Sequence, residues 1–223
     1  MSVLSLPEEY RLNKTVDLAK NKKQATLVNL LSFLLLAATV GLGILIRGVN
    51  GLFTKIAEDG KNFFTDLALP LIVLIVAYIL YIMLHELTHG AFVWLFGKVK
   101  PKFGVKLPLY AYCGTDKVFF SKWHYVVIAL APLFIWGIIF SVTARFCFGI
   151  WYSVILLLQA GNISGAAGDI FVAILTLKSP KTVLIKDCGV NMEFYLPSEE
   201  KDCVCDKDGN TDKREDKEDI KND

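Results

Sequence analysis

Charge is missing from most of the middle of this chain. Leu67 to Leu84 holds no Asp, Glu, Lys or Arg, and neither does Gly90 to Gly97. With 54% hydrophobic residues and a mean hydropathy of +0.47, that emptiness excludes an ordinary soluble domain. Cysteine pairing is missing too. Cys113, Cys147, Cys188, Cys203 and Cys205 form no C-x-x-C pair, so neither a disulfide framework nor a zinc ribbon is supported, and reduced bystander thiols are expected. Before Arg47 the first apolar run lacks a convincing small-residue cleavage pattern, which argues for a membrane span over a signal peptide. A net charge of only +2 gives no reason to expect a nucleic-acid partner.

What is present is apolar length. Four runs reach the roughly 20 residues that a bilayer requires: Ala25 to Ile46, Leu67 to Phe96, Tyr125 to Ala144, and Phe146 to Leu177, whose one charge is Asp169. The expected fold is an all-α membrane protein of about four transmembrane helices with small extended cytoplasmic elements. Its expected divisions are an N-terminal arm over 1–24, a four-span domain over 25–177, an extended hairpin over 178–197 and a disordered charged tail over 198–223. Within the arm, a short amphipathic surface helix is expected. The segment from Lys98 to Lys122, with its prolines, glycines and aromatics, reads as strands and turns.

Lysines set the expected orientation. The N-terminal arm and the Lys98 to Lys122 segment are rich in Lys and Arg, whereas Arg47 to Asp66 is balanced, so both termini and the middle loop are expected on the cytoplasmic face of the cell membrane. From Ser198 onward eleven acidic residues face six basic ones, leaving a tail of about −5 and a basic remainder of about +7 that suits an anionic leaflet. Asp206 to Asp212 echoes a calcium loop, but Thr211 replaces the turn glycine and Lys217 stands where a bidentate glutamate belongs, so it reads as solvated tail.

Within the second run stands His85-Glu86-Leu87-Thr88-His89, an H-E-x-x-H motif. Histidines at i and i+4 share one helix face and can hold one zinc, and the intervening glutamate can act as a general base on a metal-activated water. Two histidines and a glutamate are costly inside a bilayer, so they are expected to face the bundle interior and to have a partner there.

A catalytic zinc takes three protein ligands and keeps one open position. The remaining candidates are His124 and the buried acids, and Asp169 is the better one. His85 lies 19 residues beyond Asp66 and Asp169 lies 18 beyond Trp151, which puts both about 27–28 Å into antiparallel spans at 1.5 Å per residue. The glycines around Asp169 permit close helix approach or local unwinding. Asn162, about two turns shallower, is placed to hydrogen-bond a substrate backbone.

His85-Glu86-Leu87-Thr88-His89-Gly90, Ala129-Leu130-Ala131-Pro132-Leu133 and the stretch from Asn162 to Asp169 together resemble the integral-membrane zincin peptidases. The likeness is to the family named putative zincin peptidase in particular and, more distantly, to the site-2 proteases. It covers roughly residues 67 to 177. Three features depart from the site-2 pattern: Ala131 and Ile170 stand where those proteases carry glycine, and no proline separates Asn162 from Asp169. The resemblance implies zinc ligation by His85, His89 and Asp169, general-base work by Glu86, and a peptide or membrane-protein substrate cut in or near the bilayer. Two non-enzymatic alternatives use the same ligands: an inactive scaffold and a metal-binding or transport component. A haem site is disfavoured, because histidines at i and i+4 cannot clamp both faces of one macrocycle.

Overall fold

The computed structural model describes residues 2–17, 20–48, 64–106, 110–189 and 191–198. Most of Arg47 to Asp66 and nearly all of the charged tail lie outside the described residues. The remainder is mostly helical, with four helical stretches long and apolar enough to cross a membrane. Helix α1 spans Lys22–Arg47, opened by the Asn21 side chain accepting from the Gln24 N–H and closed at Gly48, whose φ of 72° suits a residue without a side chain. Helix α2 spans Leu69–Gly97, with Pro70 in its first turn where no N–H is needed. Helix α3 spans Lys122–Phe146 and carries Pro132 in its interior.

The fourth stretch is two helices. Helix α4, Ile150–Gly165, stops at Ala166 (φ −75°, ψ 8°), and α5, Ala167–Lys178, restarts at once with Asp169 in its first turn. The glycine-rich sequence therefore interrupts the helix by a single residue. Helix α1 packs on α4, and α3 touches α2, α4 and α5. At Gly43 the missing side chain lets Leu156 approach α1, where the Tyr152 hydroxyl donates to the Gly43 carbonyl.

Short strands gather at one end of the bundle. They are β1 (Tyr10–Val16), β2 (Lys102–Lys106), β3 (Tyr110–Gly114), β4 (Phe120–Ser121), β5 (Leu184–Asp187) and β6 (Met192–Pro197). Strands β2 and β3 form a hairpin, and the other four make one antiparallel sheet in the order β1-β6-β5-β4. The expected C-terminal hairpin is thus present as β5 and β6. The arm differs from expectation: β1, a strand, occupies the place of a surface helix. A lone helix of that length is marginal in water, whereas the open edge of β6 offers β1 a ladder of backbone partners broken only by an irregularity between Leu12 and Lys14.

This sheet ties together the segment before α1, the segment between α2 and α3, and the segment after α5, so all three leave the bundle at the same end. The best-buried core lies there, with Val16, Phe120, Ile185 and Phe194 of the sheet packed on Val93, Ile128 and Val172 of the helices. Buried Lys122 reinforces the junction, its ammonium donating to the carbonyls of Leu177 and Ser179 that α5 leaves free at its C-terminus. Phe120 is wholly enclosed in this cluster, and Phe120→Ala is expected to cost about 3–5 kcal/mol. Thermal unfolding of the two proteins side by side measures it.

Candidate metal centre

Helical spacing puts His85 and His89 one turn apart on α2, both buried, with ring centroids 4.9 Å apart. Across from them, the restart at Ala166 delivers Asp169 in the first turn of α5. Asp169 Oδ2 lies 3.4 Å from His85 Nε2 and Oδ1 lies 3.5 Å from His89 Nε2. Among the described residues these three side chains can share one ion, their candidate ligand atoms all lying within 4.8 Å of one another. His89 is 8 residues from the end of α2 and Asp169 is 9 from the end of α5, so both sit about 12–14 Å in from the sheet.

The outer faces of the imidazoles decide what this arrangement suits. His89 Nδ1 is 2.9 Å from the carbonyl oxygen of Ile128, a group that can only accept, so Nδ1 carries the proton. In neutral His89, Nε2 is then a lone pair aimed at a carboxylate. Two electron-rich groups facing each other call for a positive charge between them, either a proton on Nε2 or a metal ion. The separations agree: they are long for a charge-assisted hydrogen bond, and close to the roughly 3.3–3.4 Å between two ligands of a tetrahedral zinc. The donor set therefore fits zinc.

Pro132 explains why the Ile128 carbonyl is available. Within α3 that carbonyl would bond the N–H of residue 132, and proline has none. The orphaned acceptor is taken by His89. On the other imidazole, His85 Nδ1 lies 2.9 Å from the Tyr81 hydroxyl, one turn back on α2. Thr88, inside the motif, accepts from the Trp136 indole at 3.2 Å and so fastens α2 to α3.

A cavity of about 260 Å³ opens on the three candidate ligands, and half-buried Glu86 lines it. Its walls come from Tyr78 and Tyr81 of α2, the glycines Gly161, Gly165 and Gly168, and, from the sheet end, Tyr112, Cys113 and Asp187. The three glycines act differently. A Cβ at Gly161 would strike the Tyr78 ring, whereas Gly165 and Gly168 face open space. Gly90, directly after the motif, lets Phe103 of β2 lie across α2. Burial, reinforced by Glu86 and Asp187, pushes the Cys113 thiol up to about 12. Burial likewise holds the Asp187 carboxyl above the ordinary range, against the Gly189 N–H and Tyr125 hydroxyl that bond it.

The sequence candidates are distributed as follows. His85, His89, Glu86 and Asp169 converge on one cavity. His124 does not join them; its ring stacks on Phe96 and its Nδ1 bonds Ser2. Asn162, expected to meet a substrate, is fully buried beside the cavity with its amide bonded to Tyr81 and to the Leu133 carbonyl. Tyr81 and Asp187 were missed. The 81, 85, 89 spacing could have revealed Tyr81, but Asp187 arrives only through the fold of the β5–β6 hairpin.

Fold and site together define a mostly helical chain built around an H-E-x-x-H centre completed by an aspartate. Residues 78–184, a stretch holding all four of the converging residues, match the family described as "Putative zincin peptidase". The match supports a zincin family, whose name denotes a metallopeptidase and implies zinc. No curated protein and no solved structure matches the chain.

Pro132→Ala gives the helix its missing N–H and should bring that group into competition with His89 for the Ile128 carbonyl. The expected outcome is a protein with a more stable α3 and roughly tenfold weaker zinc binding, read by metal titration alongside thermal unfolding.

Proposed function

We propose that this protein is a zinc-dependent intramembrane peptidase of the cell membrane, hydrolysing a peptide bond in or near the bilayer. The observation that carries the reading is the convergence of two Nε2 atoms and the Asp169 carboxylate on one cavity that Glu86 also lines. Large apolar side chains exposed along the helices, among them Phe33 and Leu45 of α1, Ile79 and Met83 of α2 and Ile138 of α3, suit a lipid surround. The matching of Asp169 to the histidine pair and the run from Ala129 to Leu133 favour chemistry of the site-2 kind.

In this reading His85, His89 and Asp169 hold the ion. Zinc bound there supplies a Lewis acid for the scissile carbonyl and acidifies a water. The Glu86 carboxylate takes the proton of the attacking water and passes it to the leaving nitrogen, so that the C–N bond breaks as an N–H bond forms. Tyr78, Tyr81 and the sheet-end wall limit bulk water around that transfer.

Purified protein is expected to carry one zinc. Glu86→Gln should keep the metal and lose hydrolysis of a membrane-peptide substrate by about 10²–10⁴-fold, while His89→Ala should lose the metal itself. Wild-type protein that stays metal-free after zinc supplementation would overturn the reading.

The shared sheet and the lysine distribution together support a cytoplasmic face for both termini and for the segment between α2 and α3. Tags placed at Met1 and Asp223 should become accessible only after the cell membrane is permeabilised. Accessibility of either tag in intact cells contradicts that orientation.

A further inference from the structure

Asn162 is a primary amide with 0% exposure, packed in an apolar part of the bundle where an aliphatic side chain would ordinarily sit. Its bonds have a fixed sense. The Leu133 carbonyl, 3.2 Å from Nδ2, can only accept, so the NH2 group of Asn162 must face it. Gly137, one turn further along α3, lies beside that amide, where a Cβ would make an ordinary contact 3.4 Å from Nδ2. Oδ1 is thereby turned to the Tyr81 hydroxyl at 2.8 Å, and since Oδ1 can only accept, the phenol proton points to Asn162. What Tyr81 offers His85 Nδ1, 2.9 Å away, is a lone pair. His85 must then be protonated on Nδ1, which in the neutral ring leaves the lone pair of Nε2 facing Asp169.

We infer that Asn162 and Tyr81 are positioning residues that set the tautomer of His85 through a one-directional hydrogen-bond chain from the Leu133 carbonyl, so that His85 presents Nε2 to the metal. Were the chain reversed, Tyr81 would donate to Nδ1, the proton of His85 would sit on Nε2, and the ligand position would be blocked. His89 needs no such device, because its Nδ1–H is fixed by the Ile128 carbonyl. For the identity of the ion the inference rests on the zinc reading, but the direction of the chain is a property of the metal-free protein.

The chain has only three histidines, so ring-nitrogen signals of the full-length protein, ¹⁵N-labelled at histidine and held in detergent micelles, can be assigned one by one. Metal-free wild type should show His85 protonated at Nδ1. Asn162→Leu removes the acceptor, lets the Tyr81 hydroxyl turn to His85, and should shift that ring to the Nε2–H form with zinc affinity roughly 10- to 100-fold lower. Asn162→Asp, buried and protonated, can donate to Leu133 and accept from Tyr81, and should keep the wild-type tautomer and affinity. His89 serves as the internal control and should not change. If Asn162→Leu does not fold, Tyr81→Phe tests the same point, expected to give mixed His85 tautomers and the same loss of affinity. The inference is overturned if these variants retain the wild-type His85 signal and zinc affinity, or if His85 and His89 change together, which would indicate general loosening. Wild type with the expected tautomer but no affinity for zinc would instead overturn the peptidase reading alone.

Discussion

The site depends on one electrostatic opposition, in which the Nε2 atoms of two imidazoles on α2 face the carboxylate of Asp169 on α5 at 3.4 and 3.5 Å. Placed among apolar helices, such a confrontation is unfavourable without a cation and strongly favourable with one. The fold maintains it from both sides. On α2, successive turns bring Tyr81, His85 and His89 to one face. On the opposite side, the interruption at Ala166 sets the start of a new helix where Asp169 can reach across.

Proline and asparagine do the finer work. Pro132 strips one carbonyl in α3 of its helical partner, and that carbonyl fixes His89; Asn162 bonds a second carbonyl of α3 and, through Tyr81, bears on His85. Helix α3 therefore acts as a template for both histidines without contributing a ligand. Its position is secured at the sheet end by Lys122, which caps α5, and by the core around Phe120 and Ile128.

Much of this was legible in the sequence because it is local or periodic. The H-E-x-x-H spacing, the uncharged flanks and the lone acid in the fourth apolar run are each readable by position, and counting residues along the apolar runs from Asp66 and Trp151 brought Asp169 level with the histidines. The strand character of β2, β3, β5 and β6 followed from prolines, glycines and alternation. What escaped was set by distant contacts. Tyr10–Val16 becomes a strand only because β6, far along the chain, presents an open edge. Asp187 reaches the cavity through a hairpin register, and the role of Asn162 depends on which carbonyl of α3 lies beside it, which no spacing encodes.

The most direct test of the account is zinc K-edge X-ray absorption on the purified, zinc-loaded protein. A first shell of nitrogen and oxygen only, at about 2.0–2.1 Å, with the outer-shell signature of two imidazoles, is the result expected for His85, His89 and Asp169. A shell containing sulfur at about 2.3 Å, or one without paired imidazole scattering, would mean that the metal is held elsewhere and would contradict the centre described for this fold.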